Sequence, residues 1–301
     1  MEHSILNHPL PYFFPFLVLL ALLEGFYLFQ RKGTYDWRES LASMGVALGQ
    51  QLIGLATRGV VAGGFIWLWQ YRLWTIPLNQ AWGWGLLFLG VEFCYYWEHR
   101  LSHTVNWFWA SHSVHHSPNH YNLSMAYRLG WTAGISGASI FFVPLVLLGL
   151  HPLAIFSMLA VNLLYQFWLH TELIPKLGPL EWVLNTPSHH RVHHACDIQY
   201  LDRNYGGILI IFDRLFDSYV EETTPCTYGL VYPRHHVNPV KVAVAGWTEL
   251  YQQIHLQKGV WRKLRLLFAA PGWGVPSKLD NPAHHFDFDG FIHSLQRYRH
   301  E

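Results

Sequence analysis

Charge is what this 301-residue chain has least of: 13% of its residues are charged, against 51% hydrophobic and 17% aromatic. A soluble domain usually carries about 25% charged residues, so the deficit predicts that much of the surface faces lipid. The few charges nearly cancel, leaving +1, and no basic stripe with interleaved aromatics occurs. That excludes nucleic acid as an expected partner. Cysteine is scarce too. Cys94, Cys196 and Cys226 are too few and too scattered for a disulfide framework or a cysteine zinc site, and they read as small side chains in or beside the core. The first eleven residues hold no Lys or Arg, and no small-residue cleavage site follows the first apolar run. That run therefore reads as a retained anchor rather than a signal peptide.

What the chain does have is long apolar runs. Residues 12–29 are apolar except for Glu24 and end at Arg31 and Lys32, which is about the length that spans a hydrocarbon core. Further runs cover 44–69 (with Arg58 inside), 82–97, 131–150 and, after the break at His151–Pro152, 153–169. The expected fold is all-α: an integral membrane protein of about four to five spanning helices with a cytoplasmic helical cap. Residues 1–80 would hold the first spans, 81–222 the catalytic region, and 223–301 the cap and tail. Arg31, Lys32 and Arg38 place the end of the first span in the cytoplasm. Counting crossings from there puts Arg72 outside, and 99–128 together with everything from His170 onward inside.

All the clustered histidines then fall on one side of the membrane. His99 and His103 are four apart, and His112, His115 and His116 follow at i, i+3 and i+4, as do His190, His193 and His194. Residues at these intervals share a helical face. Ser117–Pro118 would stop the second helix, and Thr186 before Pro187 has the form of a helix N-cap with proline at the first helical position. Neutral imidazole suits iron, zinc, copper and nickel. Eight such groups exceed the four ligands of one tetrahedral zinc site, which predicts a pair of metals. No Glu-x-x-His occurs, so the carboxylate di-iron bundle is disfavoured. The isolated histidines, among them His120, His235, His236, His255, His284 and His285, read as ordinary polar side chains.

The boxes HRLSH, HSVHH and HRVHH, in this order and separation, resemble those of the fatty acid hydroxylase (sterol desaturase-like) superfamily of membrane di-iron enzymes. Two longer stretches are most similar to its alkylglycerol monooxygenase branch: EFCYYWEHRLSHTVNWFWASHSVHHSPNHYN, and QFWLHTELIPKLGPLEWVLNTPSHHRVHH with the following DRNYGGILIIFDRLF. The resemblance implies metal ligation by the eight box histidines and by His170 at the end of the last span. A further family ligand one turn earlier falls on Gln166. His189 could be a ligand or a supporting residue, and Asp202, Asn204 and Tyr205, at the family's NYG turn, are expected to orient ligands or the cap. The branch carries Glu just after the second histidine of its first box; this chain has Thr104 there and Glu98 before the box.

The expected activity is O₂-dependent hydroxylation of an unactivated C–H bond of a membrane lipid by two iron ions, which zinc can replace in purified protein. If the branch resemblance extends to substrate, oxygen goes onto the carbon beside an ether oxygen, with tetrahydrobiopterin as reductant; otherwise a separate electron-donor protein is expected. Tyr95, Trp97, Trp107 and Trp109, close to the boxes, are candidates to line the path of an alkyl chain. Two alternatives stand beside this. One is hydroxylation or desaturation of a sterol, sphingolipid, carotenoid or aminolipid. The other is a membrane metal transporter or metal-binding protein, although such a conduit calls for ionisable residues inside several spans. The compartment is either a bacterial inner membrane or an endoplasmic reticulum.

Overall fold

The computed structural model describes residues 10–273 apart from 34 and 235. The isolated His235, His284 and His285, and the last part of the expected C-terminal cap, lie outside the described residues. The described part is all-helical, with two isolated β-bridges, Leu184 with Leu209 and Ala195 with Tyr228, and no strand.

Three long helices come first: α1 (Leu10–Lys32), α2 (Trp37–Trp69) and α3 (Ala81–Thr104). Asp36 caps α2, its carboxylate accepting from the amides of Arg38 (2.8 Å) and Glu39 (3.3 Å). Among the described residues only α2 is by itself long and apolar enough to cross a membrane. A short α4 (Asn106–His112) continues from α3 after a one-residue break at Val105.

The run at 131–150 does not form the single helix expected of it. It passes through turns and a 3-10 helix (Ala138–Phe142) before α5 (Val143–Leu148). Geometry supplies the reason. Trp131 donates to the Val46 carbonyl (2.8 Å), while the amide of Leu73, just past α2, donates to Leu147 (2.7 Å). The segment must climb alongside α2 from Val46 to Trp69, a rise of about 35 Å. From Trp131 to Leu147 an α-helix would rise only about 24 Å; the 3-10 stretch at Ala138–Phe142, at about 2.0 Å per residue, lengthens the path. Gly137, at φ +91°, supplies the left-handed residue that starts the 3-10 helix.

The chain then turns at Gly149 and descends as α6 (Pro152–Phe167), capped by the His151 ring, which accepts from the Leu153 amide (3.2 Å). The turns after α2 and after α5 meet through Ile76 N to Gly149 O (2.9 Å), at the end away from the histidine boxes. Phe65, Leu87, Val91, Phe142, Leu145 and Ile155, from α2, α3, α6 and the stretch between, form the main core.

The remaining elements gather at the opposite end: α7 (Pro187–His194), α8 (Ile211–Leu215), α9 (Pro239–Leu256) and α10 (Val260–Phe268). Thr186 occupies the position before α7, but its hydroxyl donates to Glu181 (2.8 Å) instead of capping the helix. Glu181 also accepts from the Leu177 amide (3.0 Å), so a buried carboxylate takes the hydroxyl that would otherwise serve the helix. Gly246 lets α9 lie directly on the ligand-bearing α4: a Cβ there would stand 2.2 Å from the Ala110 carbonyl oxygen. Gly246→Ala is therefore expected to cost about 1–3 kcal/mol through overpacking, read as a lowered thermal midpoint of the detergent-solubilised protein.

Candidate metal centre

The structure brings nine imidazoles together in two sets. Ligand atoms of His99, His103, His112, His116 and His193 lie within 4.8 Å of one another, and so do those of His115, His170, His190 and His194. Box one contributes only to the first set, and boxes two and three are each split between both. The split in box two follows from a departure from expectation. α4 ends at His112, and 113–116 continues in tighter turns with His115 N bonded to His112 O (2.9 Å) and Ser117 N to Val114 O (3.4 Å). The three histidines do not share one helical stripe, so His115 swings to the second set while His112 and His116 stay in the first. On α7, His190 and His194 are one turn apart and face the second set, and His193 faces the first.

Nitrogen spacing fits a shared cation. His99 Nε2 is 3.1 Å from His112 Nε2, which is 3.2 Å from His116 Nε2. In the second set, His170 Nε2 is 3.3 Å from His115 Nε2 and 3.1 Å from His190 Nε2, with His194 Nε2 3.2 Å beyond. Nitrogens about 2.0–2.1 Å from one ion stand roughly 2.9–3.4 Å apart for right to tetrahedral angles. Tautomers point the same way. The Nδ1–H groups of His99, His170 and His193 donate to the carbonyls of Tyr205 (2.8 Å), Gln166 (2.8 Å) and Arg203 (3.0 Å). Each of these rings must then present a lone pair on Nε2. His103 Nε2 and His193 Nε2 are buried with no hydrogen-bond partner, a costly state that a cation relieves. The residues present fit a histidine-held metal, and the chemistry of the donors fits iron.

Burial also sets protonation. It is the main cause that pushes His99 to about 3 and His170 to about 4, and that holds His112, His115, His116, His190, His193 and His194 well below the ordinary 6.5. All are neutral and ligand-competent at pH 7.

The turn after α7 explains how the first set is held. Asp202 Oδ1 lies 3.6 Å from His103 Nδ1, and the Arg203 and Tyr205 carbonyls take His193 and His99, so residues 202–205 orient three of its five rings. Asp202 and Asn204 adopt the left-handed backbone region, at φ +56° and +55°. Asn204 does not reach the rings. Its amide spans the His189 carbonyl (3.1 Å) and the Val220 backbone (2.8 and 2.9 Å), bracing the turn. His189, the other candidate, faces away from both sets, towards Tyr219, with Nε2 4.0 Å from Glu181. Burial pushes it to about 4. Gln166 contributes its backbone carbonyl, while its side chain bonds Tyr95 (2.9 Å) and Asn162 (2.6 Å). Of the four aromatics singled out, Tyr95 packs on His99 and Trp109 on His103 and His116; Trp97 packs on Phe216 and Trp107 on Trp247.

Two buried carboxylates, one anchoring this turn and one the stretch after it, were not singled out as site residues from the sequence. Asp213 accepts from the amides of Tyr205 and Gly206 and from the Ser218 hydroxyl, each at 2.7 Å. Glu92 accepts from Asn162 (2.5 Å) and from the Ile208 and Leu209 amides (both 2.9 Å). Each interrupts an apolar run, which was their available signal.

With this geometry in place, comparison with known proteins is direct. Residues 84–218 match the fatty acid hydroxylase family and hold all eight box histidines together with His170. The matched stretch is somewhat under half of the chain. Over a longer range, the chain is 40% identical to human alkylglycerol monooxygenase across 264 residues, covering 86% of this chain and 59% of the human protein. The zebrafish (Danio rerio) alkylglycerol monooxygenase is also 40% identical, over 275 residues, 90% of this chain and 60% of that protein. The chain thus spans about three-fifths of the length of these relatives. The ornithine lipid hydroxylase OlsE of Rhizobium tropici is 30% identical over 136 residues, 45% of this chain and 41% of its own. No solved structure matches the chain.

Two outcomes follow from the geometry. Asp213→Ala strands three donors, at about 1–3 kcal/mol each; it is expected to lower stability by several kcal/mol and to reduce metal content, measured by elemental analysis of the purified protein. The depressed imidazoles give a sign to the pH response. Between the folded values near 3–4 and the ordinary 6.5, the unfolded chain binds more protons, so stability falls with acidification through that window and is unaffected above it. Unfolding midpoints and metal retention should both drop from pH 7 to pH 5.

Proposed function

We propose that this chain is an O₂-dependent lipid monooxygenase that hydroxylates a C–H bond of a long-chain lipid, with an alkylglycerol ether as the favoured substrate class. The convergence of nine imidazoles in two sets carries the reading, joined to 40% identity with alkylglycerol monooxygenases. Two iron ions would be held, one by His99, His103, His112, His116 and His193, the other by His115, His170, His190 and His194. When bound, such a pair supplies O₂ activation and oxygen insertion into an unactivated C–H bond.

The protein's own part is positioning. Asp202 and the Arg203 and Tyr205 carbonyls fix three rings of the first set, and the Gln166 carbonyl fixes His170. Burial keeps His99, His112, His116, His193 and the four rings of the second set neutral, and Tyr95 and Trp109 pack against the first set. Attack beside an ether oxygen would give a hemiacetal that collapses to an aldehyde and a glycerol derivative. Electrons would come from tetrahydrobiopterin or from a separate donor protein.

The same reading places the chain in a bilayer, with α1, α2, residues 82–97 of α3, the 131–148 return and α6 as the crossing segments and α7–α10 as a cap. Arg31, Lys32 and Arg38 at the histidine end support a cytoplasmic site, in a bacterial inner membrane or an endoplasmic reticulum. A second reading, hydroxylation of an aminolipid, is favoured by the match to ornithine lipid hydroxylase.

His115→Ala and His193→Ala, one from each set, are expected to abolish turnover and lower iron content. His255→Ala, on the exposed face of α9 with Nδ1 bonded to the Tyr251 carbonyl (2.9 Å), should change neither. Retained activity in both box variants would sink the assignment. Mass spectrometry of lipids from expressing cells under ¹⁸O₂ separates the two substrate readings.

A further inference from the structure

The helix α10 has three sectors. Leu266 and Leu267 pack inward with Ala110 and Leu250, in the cluster that backs α4. On the outer side Val260, Leu264 and Phe268 are successive turns of one stripe, with Trp261 beside them, at 70%, 42%, 72% and 84% exposure. Between these sectors Arg262 and Arg265 are exposed. Around an exposed helix in water, the outermost stripe should be polar; here it is the most apolar part.

Charge on this segment is of one sign. Lys258, Arg262, Lys263 and Arg265 fall within residues 257–273, which hold no Asp or Glu, and none of the four is in an ion pair among the described residues. Arg265 lies over the Trp273 ring, 4.8 Å from its centroid. The location is also informative. The Asn106 amide, just past the end of α3, donates to the Ala269 carbonyl (2.9 Å), so α10 lies across the end of a helix whose other residues include exposed Trp82, Leu86, Leu89 and Phe93. On the neighbouring α9, Val240, Val244, Tyr251 and Leu256 are exposed too, and Pro239 at its start abuts Gly45 of α2. The apolar surface of the long helices therefore continues onto α9 and α10 at the histidine end.

We infer that α10 is a membrane-surface helix that binds anionic phospholipid headgroups of the leaflet on the histidine side. Val260, Trp261, Leu264 and Phe268 enter the headgroup boundary, and Lys258, Arg262 and Arg265 pair with lipid phosphates. An apolar stripe flanked by basic residues, with Trp at the boundary, is the pattern that lies in an interface, and each basic residue at an anionic surface strengthens attachment about fivefold. A second copy of the chain would fit the apolar stripe but would leave four like charges without partners. The inference rests on the bilayer reading above and adds to it a lipid class and the residues that recognise it.

The test uses the full chain in nanodiscs of phosphatidylcholine alone or mixed with phosphatidylglycerol, with amide hydrogen exchange over 260–268 as the readout. Exchange should slow by at least roughly tenfold when phosphatidylglycerol is present. That protection should be lost at high salt and in a K258Q/R262Q variant, whose substituted side chains are exposed. A T248Q control on the exposed face of α9 should keep it. Exchange that is the same in both lipids overturns the inference, as does protection that appears only with two copies per disc. Alkaline extraction of native membranes reads the bilayer assignment separately. A chain retained in the pellet whose α10 ignores lipid charge refutes the headgroup site alone, and a chain that washes off refutes both.

Discussion

Nine imidazoles with their lone pairs turned inward are the constraint on which the rest of this structure depends. A neutral ring has one donor and one acceptor, so a packed group of them cannot satisfy itself. His103 Nε2 and His193 Nε2 are left buried and unpaired, at about 1–3 kcal/mol apiece. Protonation does not relieve this at His193, because burial and the neighbouring imidazoles disfavour charge on it. A metal cation is the partner whose chemistry fits all the lone pairs at once. The surrounding elements then read as means of holding rings in place before it binds.

Those means are graded by distance from the rings. Backbone carbonyls and Asp202 touch them; Asn204 and Asp213 hold the turn that carries these groups; Glu92, on α3, pins the next stretch of chain. Glu24 does the same from α1, accepting from the Leu123 amide (2.6 Å) and from the Thr171 hydroxyl beside His170. Glu39 ties α2 to the end of the second box through the Asn119 and His120 amides and the His120 ring (2.9, 3.0 and 2.8 Å). Three acidic residues on three long helices thus reach into the same end of the bundle. Each carboxylate is satisfied by backbone and side-chain donors, as burial requires.

Much of this was legible in the sequence, for physical reasons that differ by element. The helical spacing of the boxes exposed the ring clusters, because period and ligand chemistry coincide there. The grouping into five and four was not legible. It depends on α4 ending at His112, where no proline or glycine marks the stop. The run at 131–150 was misread as a helix because hydropathy reports burial in an apolar medium and not the rise per residue. Thr186 had the form of a cap and became a donor to Glu181, since a buried carboxylate competes for the same hydroxyl. The carbonyls of Arg203 and Tyr205 were invisible by nature: backbone groups have no letter.

The division of the second and third boxes has a consequence for how such a site can change. The turn 112–116 and the helix 190–194 each supply rings to both sets, so the two ion positions are parts of one rigid frame. A backbone shift that retunes one necessarily displaces the other. Divergence of this centre would therefore proceed by compensated pairs of replacements, one on each shared segment, with drift concentrated in the neighbouring walls that touch only one set.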